Sequence, residues 1–223
     1  MSFFPQALYE ALRWHYLCGT ARLSISADDF APGELAPCAA EAAVVLDLAG
    51  ELLDALAAAG LASDADWQWV SESGASSGAE AHWRGVDAQV QLTLPWPMLR
   101  ALREAPEVPG LQWQTTPAES LLAQWRLSDE EHAALEPGGL LLLDGATTPR
   151  LRARGEPLVG EPWQLVARWE QPLAVETVLG WNDARPVPPT QCLLVETARP
   201  EVVRARGRLV PWGSGQAFRI EAA

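Results

Sequence analysis

PGGLLLLDGATTPRLRARGEPLVGEPWQLVARWE, residues 137–170, returns 52 positions later as PTQCLLVETARPEVVRARGRLVPWGSGQAFRIE, residues 189–221. At that offset Pro137 meets Pro189, Leu141 and Leu142 meet Leu193 and Leu194, and Ala146 meets Ala198. Arg152-Ala153-Arg154-Gly155 meets Arg204-Ala205-Arg206-Gly207, and Gln164 meets Gln216. In a chain rich in Arg and Ala the four-residue match alone carries little weight. Co-linear matches on both sides of it point to a duplicated β-rich unit. Repeated units bury their apolar faces against one another, so a duplication signals assembly before it signals catalysis.

Leu140, Leu141, Leu142 and Leu143 stand in an unbroken row. A strand with one face in water alternates, so this row predicts cover on both faces, with about 1.5–3 kcal/mol for each fully buried side chain. In so small a unit the second cover is expected from another copy. The leucine row and its echo, Leu193, Leu194 and Val195, are therefore candidate module-interface residues. Asp144-Gly145 reads as a turn, and Arg150, Arg152 and Arg154 alternate with Leu151 and Ala153, predicting a strand with one charged face. Arg204 and Arg206 repeat this around Ala205, and Gly213-Ser214-Gly215 reads as a hairpin turn. Trp163, Trp169, Trp212 and Phe218 lie in the same units and complete the interface candidates. Tryptophan is enriched at interface hot spots, although it also fills ordinary cores.

Upstream, Ser128 stands three residues before Glu131 with acids between, the pattern of a capping box opening a short helix. Glu41 to Leu61 has apolar residues at helical spacing and Gly60 near its end, predicting one helix. Pro5 to Tyr16 reads as a short amphipathic helix on Ala7, Leu8, Ala11 and Leu12. Arg22 to Ser26 and Val86 to Leu94 alternate as half-buried strands, and Trp67 to Val70 is a further strand candidate. Ser71 to Gly78 reads as a loop, with Trp67, Trp69 and Trp83 anchoring its ends. Met98 to Arg103 follows Pro95-Trp96-Pro97 as a short helix. Strands are also expected around Leu111 to Gln114 and Leu121 to Leu127. Pro106 to Gly110 reads as a linker. The fold class is α+β: an N-terminal α+β domain at 1–105, a β module at 106–171, and a shortened second β module at 172–223, the two modules pairing by intertwining.

The chain has 223 residues, 48% of them hydrophobic, enough for one or two packed domains. Its formal charge of −13 argues against nucleic acid and against anionic membranes as partners. All sixteen basic residues are arginine, which reads as a genomic composition bias. Cys18, Cys38 and Cys192 are too few and too scattered for a disulfide framework or a metal knuckle, which suits a reducing cytoplasm. No apolar run reaches the length of a membrane-spanning helix, and the N-terminus lacks the pattern of an export signal. No cofactor, metal site or catalytic residue is expected. His15, His82 and His132 are the only imidazoles and none has cysteine or carboxylate partners at metal-ligand spacing. Phosphate-binding glycine loops and the nucleophile elbow are both missing.

The run LSDEEHAALEPGGLLLLDG (127–145), followed by the Gly155 hairpin and a return strand through Val166, resembles the surface-presentation-of-antigens (SPOA) module. That module occurs in the flagellar switch proteins and in the SctQ/HrcQ/YscQ family of type III secretion. The family pattern Leu-x-x-Leu-x-x-Gly-Asp-x-Leu-x-Leu has Asp where this chain has Gly139. LTLPWPMLRAL (92–102) is similar to the Leu-Pro-x-x-Leu-Leu segment late in the family's N-terminal domain. The second unit, with Gly180 and Pro186-Val187-Pro188-Pro189 in place of a helix, is shorter than a full module. Some relatives of the switch domain are phosphatases with a Glu-x-x-Asn helix; Asn182 is the single asparagine here and lacks that glutamate, so the activity is not carried over.

The resemblance implies paired modules forming a compact β dimer and a place in the cytoplasmic ring, or sorting platform, beneath a secretion apparatus. It implies protein partners: other ring subunits, the stalk protein that links the ATPase to the platform, and a second SPOA protein. The expected role is thus a non-enzymatic scaffold, oligomeric in the assembled ring, cytoplasmic and peripheral to the inner-membrane apparatus. Two alternatives stand beside it. One is a small-molecule-binding or hydrolytic α+β protein with tryptophans around a pocket. The other is an acidic cytoplasmic adaptor or chaperone.

Overall fold

The computed structural model describes residues 13–27, 39–61, 67–71, 77–133, 135–143, 149–157 and 159–222. The chain is α+β, and every strand pairing among the described residues is antiparallel. It divides into two compact units, 1–114 and 115–223.

The first unit opens on β1 (Arg13–Cys18) and β2 (Ala21–Ala27), a hairpin turned at Gly19, whose φ is +58°. Residues 13–16 are strand, not the helix end expected there. Trp14 and Tyr16 are buried two apart, a period of two that suits a pleat, and aromatic side chains favour it. The rest of that expected helix, Pro5 to Leu12, lies outside the described residues. The next helix is broken in two, α1 (Ala39–Asp47) and α2 (Gly50–Ala58). Leu48 and Ala49 donate to Val45 and Leu46, three residues back, and this tightening ends α1 just ahead of Gly50. At the far end Gly60 N–H donates to Ala57 and Leu61 N–H to Leu56, a Schellman closure with buried Leu56 and Leu61 at its two ends.

Then follow β3 (Gln68–Val70), β4 (Ala79–Arg84), β5 (Ala88–Leu94), α3 (Trp96–Arg100) and β6 (Leu111–Trp113). The six strands are ordered β3-β1-β2-β5-β4-β6. Trp14, Tyr16, Leu23, Ile25, Val90 and Leu92 fill the buried face, and the Tyr16 hydroxyl donates to the Ala42 carbonyl of α1 at 2.6 Å. Strand β4 was not foreseen; Ala79, Ala81 and Trp83 are its buried positions, and two alanines give little hydrophobic signal. Trp83 folds over Gly85, where a Cβ would sit 2.5 Å from its ring, and donates Nε1–H to the Pro109 carbonyl at 2.9 Å. Trp67 and Trp83 are buried beside the Ser71 to Gly78 segment, of which 72–76 lies outside the described residues. Because β6 pairs with β4, residues 106–114 belong to the first unit, beyond the boundary expected at 105.

The second unit contains β7 (Thr115–Thr116), β8 (Ala118–Trp125), α4 (Asp129–Ala133), β9 (Leu140–Leu143), β10 (Arg150–Ala153) and β11 (Trp163–Arg168). It continues with β12 (Leu173–Ala174), α5 (Val175–Leu179), β13 (Gln191–Glu196), β14 (Arg199–Trp212) and β15 (Gly215–Ile220). The capping box forms: Ser128 N–H donates to Glu131 Oε2 at 2.8 Å and Glu131 N–H to Ser128 Oγ at 3.2 Å. These bonds hold the Glu131 carboxyl below its usual range. Seven strands form one sheet in the order β10-β8-β11-β13-β14-β15-β9, and β7 pairs with β12. Leu122, Leu143, Leu165, Ala167, Cys192, Leu194, Phe218 and Ile220 make the core. The segments expected as two modules therefore share one sheet.

The echo is structural as well as sequential. An offset of 52 carries β9 onto β13, β10 onto β14 and β11 onto β15. The first strand of each copy pairs with the last strand of the other: β9 with β15, and β13 with β11. Even the register repeats. Gln164 faces Val195 and Leu165 faces Leu194, while their counterparts Gln216 and Ala217 face Leu143 and Leu142.

The middle strands differ. β14 lies against both β13 and β15, whereas β10 lies against β8. At the position of β8 the second copy carries β12 and α5, which ends at Gly180 (φ +77°).

Candidate functional site

Among the described residues the seven-stranded sheet ends on β9 at one side and β10 at the other. The leucine row is β9, and it is not covered on both faces as its sequence suggested. Leu143 is buried, Leu140 and Leu141 are half-buried, and Leu142 is 53% exposed. The physical reason is the partner: on one side only, β15 supplies Phe218 opposite Leu141 and Ala217 opposite Leu142. Trp125 Nε1–H reaches across from β8 to the Leu142 carbonyl at 3.2 Å.

The echo row sits differently. Leu194 and Val195 are fully buried and Leu193 half-buried, since β13 is flanked by β11 and β14. Phe218 is fully buried in the core. Trp163 is half-buried against that core and stacks on His132 with ring centres 4.7 Å apart. Trp169 donates Nε1–H to Ser120 Oγ at 3.2 Å, and Trp212 is 54% exposed at the β14–β15 turn. Of the interface candidates, Leu142 and Trp212 thus present the most apolar surface to solvent. Leu143, Leu194, Val195 and Phe218 are interior.

The arginine strands are also unequal. Arg204 and Arg206 are exposed on β14 as expected, and so are Arg150 and Arg154 of the first echo, but Arg152 between them is buried on β10. Arg152 Nε–H donates to Glu119 Oε1 at 2.7 Å, and Arg168 Nε stands 3.6 Å from Glu119 Oε2. Arg168 Nη2 also donates to the Pro200 carbonyl at 2.7 Å. The difference follows from pairing: Arg152 and Arg168 each lie opposite Glu119 of β8, a carboxylate that sequence reading had not singled out. An isolated Glu between an alanine and a serine carries no signal until strand register puts two guanidiniums beside it.

Among the imidazoles, His15 Nδ1 lies 2.8 Å from Ser24 Oγ, a nucleophile–base spacing across the β1–β2 hairpin that was not foreseen. Reading Gly19-Thr20 as the turn would have found it. Burial first, then the charges of Arg13 and Arg22, hold the His15 pKa down. The ring thus lies beside cations, whereas the base of a catalytic triad is oriented by a carboxylate. His82 contacts the Gln114 side chain. Among the described residues no three His, Cys, Asp or Glu side chains are grouped to hold a metal ion, and no helix is long and apolar enough to cross a membrane.

No protein-family model, curated protein or solved structure matches this chain.

Proposed function

We propose that the chain is a non-enzymatic assembly subunit of the cytoplasmic ring, or sorting platform, of a type III protein secretion apparatus. The second unit is read as two SPOA-like modules, the later one shortened, clasped by exchange of strands. The observation that carries this reading is the pairing of each copy's first strand with the other's last strand in the same register. Two similar halves that close on each other in this way form one sheet, with its interior given to Leu165, Leu194 and Phe218.

The contacts with partners are assigned to what the clasp leaves open. An edge strand offers backbone groups to another strand; on β9 the Leu142 carbonyl already accepts from Trp125, and the strand carries no charge or proline to discourage pairing. Leu142 and Trp212 supply apolar anchors, and the net charge of −13 favours basic partner segments. The partners proposed are other ring subunits, a second SPOA protein and the ATPase-stalk protein, with the chain oligomeric in the cytoplasm at the inner-membrane apparatus.

The test is affinity purification of the tagged chain from the cells that encode it, followed by mass spectrometry, beside a Leu142→Asp variant. Ring and stalk components should accompany the parent and be lost from the variant, while circular dichroism and melting show the variant folded. Recovery of no secretion component, or of the same set with both proteins, would overturn the proposal.

A further inference from the structure

The solvent face of the six-stranded sheet carries a second surface, independent of the clasped unit. Strand register lines up its outward residues in rows. Arg13 lies opposite Ser26, Ser26 opposite Gln89, and Gln89 opposite Arg84, so one row of four strands has an arginine at each end and amide and hydroxyl groups between. The neighbouring row runs His15, Ser24, Gln91, His82 and Gln112. These rows, His15 apart, line a concavity of about 460 Å³, and none of the described residues in its wall is a carboxylate.

Arg13 and Arg84 are both exposed and make no ion pair among the described residues. In a chain with 29 acidic and 16 basic residues, a wall whose described residues carry two such guanidiniums and no acid is a local reversal of charge. We infer that this face docks an acidic segment of a partner protein in extended conformation. Each guanidinium is shaped to hold a carboxylate through two parallel hydrogen bonds. Strands in a sheet are about 4.8 Å apart, so the two arginine backbones stand about 14 Å apart, close to the span of residues i and i+4 in an extended peptide.

The floor separates a peptide from a simple anion. Gln89, Gln91 and Gln112 offer acceptors as well as donors, which matches peptide groups and wastes half its capacity on phosphate. The overall negative charge opposes nucleic acid, whose long phosphate track extends past any one concavity.

The experiment is fluorescence anisotropy with the full chain and a labelled octapeptide of alternating Glu and Ala, at physiological and at low salt. The same peptide with Gln for Glu, inorganic phosphate as competitor, and labelled single-stranded DNA are run beside it. Saturable binding of the acidic peptide, weakened by salt and reduced at least about tenfold in Arg13→Ala/Arg84→Ala, supports the inference. Both side chains are exposed, so the double variant should melt as the parent does; Arg219→Ala, an exposed arginine on β15, should bind as the parent. Failure of the acidic peptide to bind, equal binding by the double variant, equal binding of the Gln peptide, or a preference for phosphate or DNA would each overturn it.

Discussion

Arg152 and Glu119 meet through a 2.7 Å hydrogen bond at a point where neither side chain is more than a tenth exposed. The contact joins β10 to β8 beneath α5, in the part of the second unit where the two echoes cease to match. Glu119 also faces Arg168, so a single carboxylate serves two guanidiniums. Replacing Glu119 with Gln removes the anion and leaves Arg152 buried without a counter-charge, an imbalance that typically costs about 3–5 kcal/mol. The Glu119→Leu/Arg152→Met double variant should lose much less, because Arg168 keeps the Pro200 carbonyl as acceptor. Urea denaturation midpoints would show the ordering; a double variant as weak as the single would refute it.

Adjacent leucines of β9 should respond differently to the same change. Leu141 lies opposite Phe218 and packs on the core, so Leu141→Asp forces a carboxylate against apolar neighbours and should destabilise the unit by several kcal/mol. Leu142 is more than half exposed, so Leu142→Asp should shift the melting temperature by little. Equal melting of the two variants would contradict the burial assigned to them.

Gly207 is where β14 passes from β13 toward β15, and a Cβ there would fall 1.9 Å from the Arg219 carbonyl oxygen. The neighbour is backbone held in a ladder, so it cannot swing aside. Gly207→Ala should cost about 1–3 kcal/mol or more, as overpacking does. Its sequence counterpart Gly155 sits exposed in a turn, and Gly155→Ala is the matched control in a thermal melt.

Alkaline pH should loosen the second unit through Cys192. Burial raises its thiol from 9.0 to about 11, partly offset by a hydrogen bond with the Leu209 backbone. Between those values the unfolded chain releases a proton that the folded chain retains, so unfolding gains as pH rises. The contribution is whole below pH 9 and is lost as pH climbs through about 11. In the first unit Tyr16, whose hydroxyl is also raised by burial, gives that unit a loss of the same sign at higher pH. The denaturation midpoint should therefore fall less steeply from pH 9 to 11 in Cys192→Ala than in the parent. Parallel curves would count against this assignment.

Local chemistry was legible in the sequence wherever one residue pattern dictates one geometry. The Ser128–Glu131 capping box, the alternation of β2 and β5, and the turn at Gly213 all appear as read. The echo at 137–170 and 189–221 maps strand onto strand. What the sequence withheld was which strand would lie beside which. Arg152 and Arg204 read alike, yet β10 chose β8 and β14 chose β13, so one arginine is interior and the other wet. The leucine row read as a doubly covered strand because hydrophobic runs report burial and not edge position. Glu119, Ser24 and the Arg13–Arg84 row were invisible for the same reason: each acquires meaning only across a hydrogen-bonded ladder.

The reciprocal clasp has a topological corollary. Neither echo owns a complete set of neighbours, since β9 needs β15 and β11 needs β13. A cut in the irregular stretch at residues 184–189 would leave two complementary pieces, each an incomplete template for the other. Such pieces should reconstitute when mixed, and intact chains at high concentration hold the same option of completing one another, trading a closed monomer for an interlocked pair.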